Sequence, residues 1–260
     1  MCVDMSLRFF GDRIHVGVRR SPIATPGAAL ALARAASQLE GVELVGLMGY
    51  EAQVAGLADD RPHDIGRWAK RSVRHASIDV VRTRRGTLVR ALRDAGHELS
   101  LVNGGGTGSL DSTVRDDVVT EVACGSAFFK PHLFDHFTSP HVRELEPACF
   151  FALEVTRIPG PGFATCLGGG YVASGPVGPA SAPLPWLPAG LELLSAEMAG
   201  EVQTPLRVPS GVTLTHGDPV IFRHAKAGEV TERFAEALLV QNGKIVDRTR
   251  TYRGMGACFL

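Results

Sequence analysis

Apolar and polar positions change their rhythm near residue 140. Before it, short unbroken apolar runs alternate with longer stretches whose apolar residues recur at helical spacing, as expected of buried strands separated by amphipathic helices. A first strand is expected near Val3 to Leu7. Thr25-Pro26 then opens a helix, with Thr as the cap and Pro in the first helical position, and the alanine- and leucine-rich stretch from Gly27 to Leu39 carries it to a stop at Gly41. Val42 to Met48 reads as a buried strand. From Asp64 to Asp94 charged and apolar residues repeat at helical spacing, and Gly96 supplies the stop. The arginines of that helix are most simply a solvated face rather than an anion site. Strands over 99 to 103 and 119 to 124 bring the count to about four βα units, an α/β arrangement with parallel strands.

After about Pro140 helical periodicity mostly disappears. Phe150 to Thr156, Val212 to Thr215, Pro219 to Phe222 and Leu238 to Val240 read as short strands, and the Asn242-Gly243 turn before Lys244 to Val246 predicts a hairpin. The chain therefore divides into an α/β region over 1–140 and a mostly antiparallel β-domain over 141–260. The proline-rich stretch Ser174 to Pro188 reads as an irregular loop, either a lid or an interface segment. No internal repeat is present.

Composition narrows the function classes. The 260 residues are 45% apolar, enough for a sizeable core, and the formal net charge is zero. A neutral chain gives no electrostatic reason to expect nucleic acid or an anionic membrane as partner, which leaves small molecules or proteins. No apolar run approaches the length of a membrane span, and the N-terminus carries no basic stretch followed by an apolar one. The five cysteines are widely spaced without a Cys-x-x-Cys pair, so neither a disulfide framework nor a thiolate zinc site is expected, and a reducing cytoplasm fits.

The strongest chemical signal is Gly104-Gly-Gly-Thr107, which follows the apolar run Leu99 to Val102. Glycines let successive backbone N–H groups converge on one anion, and Thr107 adds a hydroxyl donor. Near Thr120 to Phe129 a second strand breaks at Gly125-Ser126, where a second pair of donors faces the first. Two neighbouring strand ends holding one phosphate is the arrangement at strands 7 and 8 of a (β/α)8 barrel. A plain tight turn is the competing reading.

Several segments in order resemble one family. Asp4 to Arg8 with His15 to Pro22, Gly46 to Gln53, Gly104 to Thr107 and Thr120 to Ser126 are similar to the last four barrel strands of the alanine racemase-like pyridoxal phosphate enzymes, nearest the D-threonine aldolase and D-serine dehydratase-like branch. Leu167 to Gly175, Glu197 to Glu201 and Gly217 to Glu229 resemble that branch's C-terminal β-domain. The resemblance implies the C-terminal half of a (β/α)8 barrel followed by a β-domain. It also implies that Gly105, Gly106, Thr107, Gly125 and Ser126 bind the cofactor phosphate. Tyr50 would face the ring, orienting cofactor or substrate or exchanging a proton if its pKa is lowered; packing under a loop is the alternative. Arg8, His15 and Arg19 lie near the family's ring-contacting arginine, with surface charge as the other reading.

Two departures accompany these matches. The family's covalent lysine comes from the first barrel strand, and the lysines here, Lys70, Lys130, Lys226 and Lys244, do not match it. Four strands also cannot close a barrel, so a missing N-terminal half-barrel segment or a partner such as a second copy in a homodimer is expected. The family's divalent-metal pair corresponds to His224-Ala-Lys226, where a cationic lysine replaces a ligand and makes a metal unexpected. His216-Gly-Asp218 has metal-like spacing but reads as a strand-entry turn. His224 is then a candidate general base or donor, with Lys226 beside it, or a core histidine.

The first functional reading is a pyridoxal phosphate-dependent lyase, an aldolase or deaminase of D-amino acids or β-hydroxy-amino acids, truncated at its N-terminus and inactive alone. The alternatives are a non-catalytic phosphate-binding remnant and a barrel enzyme of a phosphorylated metabolite.

Overall fold

A computed structural model of the chain describes residues 1–10 and 13–257; Cys258, one of the five cysteines, lies outside them. The chain forms two compact units, Met1–Phe128 with Phe134–Leu145, and Phe129–Leu133 with Glu146–Leu260.

The first unit begins with a short antiparallel hairpin, β1 (Leu7–Phe9) and β2 (Ile14–Val16), in which Arg8 pairs with His15. Upstream of it, Cys2 bridges Met48 in parallel, so the expected first strand sits beside the parallel sheet while its C-terminal end turns into the hairpin. Helix α1 (Pro26–Ala36) starts where the Thr25 hydroxyl accepts a bond from the Ala28 N–H, and it buries Ala29 and Ala33. Strand β3 (Gly46–Gly49) is shorter than the apolar run, because residues 42–45 run outside the ladder. A four-residue helix, α2 (Ala52–Ala55), precedes α3 (Arg67–Asp94), whose 28 residues end as Gly96 turns into the left-handed region at φ +88°. Strands β4 (Leu101–Gly104) and β5 (Glu121–Val122) flank the short helix α4 (Leu110–Thr113) and extend the sheet in the order β3-β4-β5, all parallel. Helix α5 (Pro140–Glu144) closes this unit. Its core joins Val3, Met5 and Leu47 to Leu88, Val89 and Leu92 of α3, each worth about 1.5–3 kcal/mol for full burial.

The second unit is built on a six-stranded antiparallel sheet. Strand β6 (Phe150–Gly160) alternates strictly at first, burying Phe151, Leu153 and Val155 between exposed neighbours, and it is followed by β7 (Phe163–Leu167). Strands β8 (Leu184–Leu187), β9 (Glu192–Leu193), β10 (Gln203–Arg207) and β11 (Pro219–Arg223) complete the order β8-β11-β6-β7-β10-β9. Two expectations are corrected here. The end of the proline-rich stretch is strand β8, paired with β11, because Pro185 needs no ladder donor on an edge strand. Val212 to Thr215 is not a strand; the Asp218 carboxylate accepts from the Thr215 N–H at 2.7 Å and its hydroxyl at 3.0 Å, tying the segment into a turn. Helix α6 (Ala227–Arg233) leads to a separate hairpin, β12 (Glu236–Gln241) and β13 (Lys244–Arg250), turning at Asn242-Gly243, and then to α7 (Tyr252–Met255). No helix among the described residues is long and apolar enough to cross a membrane.

Candidate functional site

The glycine loop leaves β4 at the C-terminal edge of the parallel sheet and enters a tight helical turn, Thr107–Ser109, which packs against a second such turn, Gly125–Phe128, after β5. The two breaks in the apolar pattern are therefore neighbours. Gly105 sits at φ +82°, a conformation that a residue with a Cβ adopts only under strain. A Cβ on Gly106 would lie 3.0 Å from the Ala55 Cβ and 3.3 Å from the Tyr50 ring, so this glycine brings the loop against the residue that ends β3.

The donors of the loop divide into two sets. The Gly105 N–H points inward, to Glu51 Oε2 at 3.1 Å, and the Gly106 N–H bonds the Ser109 hydroxyl at 3.1 Å. No bond to another described residue engages the N–H groups of Thr107, Gly125 or Ser126. Thr107 is nearly buried, whereas Gly125 is exposed and Ser126 half-buried. The nest of free donors is thus made of Thr107, Gly125 and Ser126, while Gly105 and Gly106 shape it from behind.

Glu51, which the sequence reading did not single out, is the centre of the supporting layer. It is 2% exposed, and besides Gly105 its carboxylate accepts from the Ser109 hydroxyl at 3.0 Å, from the Thr113 hydroxyl and from Arg85 Nη2 at 2.8 Å. Arg85, itself 1% exposed, also donates to the Gly49 carbonyl at 3.0 Å and pairs with Asp116 at 2.6 Å. Three of these bonds come from neutral donors and one from a guanidinium, so both carboxylate oxygens are hydrogen-bonded.

Tyr50 stands beside this network, with the Arg20 guanidinium 5.6 Å from its ring centroid. Burial pushes its phenol above the ordinary value of 10, only partly offset by Arg20, so Tyr50 keeps its proton at neutral pH and acts as a donor. Arg8 pairs with Asp4 at 2.5 Å, and Arg19 is exposed. Burial raises the Asp4 carboxyl, but bonds from Ser6 and Arg8 outweigh it and hold it below the usual range. Arg8 and His15 are brought together across the hairpin, and it is Arg20, not Arg19, that reaches Tyr50.

The remaining candidates lie in the second unit. His224 follows β11, is 3% exposed, and packs edge-on against Phe129 at 6.3 Å. Burial pushes its imidazole down to about 4, so it is neutral at physiological pH. Lys226 turns away into the loop at residue 174, where Nζ donates to the Ser174 carbonyl at 2.6 Å. The side chains of the His224-Ala-Lys226 segment therefore have different surroundings, one buried against Phe129 and the other at the Ser174 loop.

No family model and no curated protein matches the sequence. Solved structures do match. D-threonine aldolase from Filomicrobium marinum superposes with a TM-score of 0.74 at 21% identity, over 92% of this chain and 61% of that one. D-threo-3-hydroxyaspartate dehydratase from Delftia sp. HT23 gives 0.65 at 18%, over 96% and 64%, and an alanine racemase-like protein from Idiomarina loihiensis gives 0.56 at 13%, over 85% and 58%. The chain has the fold of these proteins, an alanine racemase-like barrel region with a β-domain, and it spans less than two thirds of their length.

Proposed function

We propose that this chain forms the phosphate-holding part of a pyridoxal phosphate-dependent lyase that cleaves or deaminates D-amino acids or β-hydroxy-amino acids. One observation carries the reading: the backbone N–H groups of Thr107, Gly125 and Ser126, which bond no described residue, lie on two turns that pack against each other after adjacent parallel strands, in a fold shared with a D-threonine aldolase and a hydroxyaspartate dehydratase. Such a cluster of N–H dipoles suits a dianionic phosphate, so the residues present fit the cofactor at that end. Bound pyridoxal phosphate supplies an electron sink for a carbanion at the substrate Cα, ahead of retro-aldol cleavage or β-elimination.

The chain's own residues then take defined parts. Thr107, Gly125 and Ser126 donate to the phosphate, and Gly105 and Gly106 let the loop approach. The protonated Tyr50 donates toward the ring or the substrate, and Arg8 and His15 of the hairpin, with Arg19 after it, are the candidates for the ring contact. His224, neutral in its buried setting, is the candidate base or donor, and Lys226 fixes the loop next to it. With Lys226 in place of a metal ligand, the reaction is expected to proceed without a divalent ion.

The covalent amine comes from outside this sequence. The first unit holds one lysine, Lys70, which is paired with Asp64 at 2.6 Å, and the other three lie in the second unit. We infer that an additional half-barrel segment supplies that amine, that a second copy in a homodimer could complete the barrel but not the amine, and that this chain alone is inactive. The lack of a suitable amine also favours a second reading, a module that binds the phosphate without catalysis.

Borohydride reduction of the purified chain with pyridoxal phosphate tests both. No label should appear on any of its lysines, and a longer chain carrying the completing segment should be labelled and should cleave D-threonine or a related substrate. Label on a lysine of this chain would overturn the external amine, and a labelled longer chain without lyase activity would favour the binding module.

A further inference from the structure

We propose that Glu51 is a positioning residue: a built-in anion that holds the glycine loop from behind, so that the donors of Thr107, Gly125 and Ser126 stay free for the phosphate of a ligand. This rests on the phosphate-holding role of that loop and adds its internal control.

The argument starts from how a backbone nest behaves without a partner. Converging N–H groups are attracted to the nearest negative charge. Glu51 stands two residues after the end of β3, and its carboxylate takes the Gly105 N–H at 3.1 Å. Its other oxygen takes the hydroxyls of Ser109, at 3.0 Å, and Thr113. These three donors lie before, within and after the turn that presents Thr107. One carboxylate thus fixes the entry to the loop, its turn and the helix that follows. Arg85 holds the carboxylate in register, since the same guanidinium binds Glu51, Asp116 and the Gly49 carbonyl.

Charge is essential to this arrangement. A carboxylate offers about four lone-pair sites to its four donors, whereas the carbonyl oxygen of a glutamine offers two. Glu51→Gln therefore leaves some of the four donors unpaired, or turns an NH2 against Arg85, whatever its rotamer. The shape of the side chain is kept while the hold on the loop is lost.

The experiment is a titration of the intact protein with pyridoxal phosphate and, separately, with inorganic phosphate, alongside thermal melting. The variants are Thr107→Val, Glu51→Gln and Thr113→Val. Thr107→Val reports on the Thr107 hydroxyl at the phosphate site, and the other two report on Glu51. Glu51→Gln should weaken both ligands about tenfold or more, and Thr113→Val about threefold. The amide resonances of Gly105 and Thr107 should move in both variants.

Failure of the wild type to bind either ligand would overturn the phosphate site and this inference with it; full affinity in Thr107→Val would leave only the backbone donors at that position. Binding that is present in the wild type and kept within twofold in folded Glu51→Gln would overturn the role of Glu51 alone. A lowered melting midpoint with unchanged affinity would have the same meaning, reducing Glu51 to a structural carboxylate. If Glu51→Gln does not fold, Thr113→Val decides by the same criterion.

Discussion

The first unit holds its candidate loop with charge, whereas the second holds its candidate histidine by burial. Glu51 and Arg85 are as buried as His224, yet they are paired with each other and Arg85 also with Asp116, while burial pushes the His224 imidazole down to about 4. The difference teaches what each kind of burial can do. Charge-assisted bonds are directional and can aim a loop's donors. Burial alone fixes a position without direction, and it controls chemistry by suppressing ionisation.

The comparison is broken most sharply at Arg85. Arg85→Leu leaves the carboxylates of Glu51 and Asp116 buried without their common cation, and the stability of the first unit should fall by about 3–5 kcal/mol. Chemical denaturation followed by a probe in that unit measures it. A loss below about 1 kcal/mol would mean that water enters and replaces the guanidinium, and that charge does not hold the loop.

The second unit should answer to pH instead. His224 has a folded pKa of about 4 against 6.5 for the ordinary imidazole. The unfolded chain therefore takes up the proton first as pH falls. Stability from this group is fully present above pH 6.5 and is lost between pH 6.5 and about 4, by about 3 kcal/mol in all. His132 and Arg223 oppose protonation and Glu229 favours it, so these charges share the setting. Denaturation midpoints across that range should slope steeply in the wild type and flatten in His224→Phe. An equal slope in the variant would assign the effect to other groups.

Gly106 sharpens the comparison by testing geometry in the charged unit without touching a charge. The added Cβ of Gly106→Val would meet Ala55 at 3.0 Å and Tyr50 at 3.3 Å. Displacing the loop should weaken pyridoxal phosphate at least about tenfold at a stability cost of roughly 1–3 kcal/mol. Unchanged affinity in a calorimetric titration would show that the loop is not the phosphate contact.

These sites were unequally legible in the sequence. Strand β6 was visible because Phe151, Leu153 and Val155 alternate with exposed positions, and α1 because Thr25-Pro26 marks its start. Strand β7 buries three consecutive residues, and β10, though its burial alternates, buries the polar Thr204 next to Pro205, so neither reads as an apolar and polar alternation. The Gly104 to Thr107 loop was visible because glycine runs are rare in strands. Glu51 was not, since its partners Arg85, Gly105, Ser109 and Thr113 stand 34 to 62 positions away. A lone glutamate after a tyrosine looks like any loop residue until the fold closes around it.

Lys226 offers the smallest effect and separates the two units most finely. Its ammonium is tied to the Ser174 carbonyl at 2.6 Å and hydroxyl at 3.2 Å, and the Ser174 N–H in turn donates to Glu229 at 2.5 Å. Glu229 is raised by burial and lowered more strongly by the bonds from Ser174, so it is ionised beside the lysine. All of this is at the solvent edge, where water replaces a lost contact cheaply. Lys226→Met should therefore cost only about 0.5 kcal/mol, with the pH slope set by His224 unchanged. A completed, active enzyme carrying Lys226→Met should keep its turnover within a few-fold. A fall of roughly 10²-fold at an unaltered melting midpoint would mean that Nζ leaves Ser174 to move a proton during the reaction. The second unit would then act through charge as well, and the contrast with the Glu51 network would disappear.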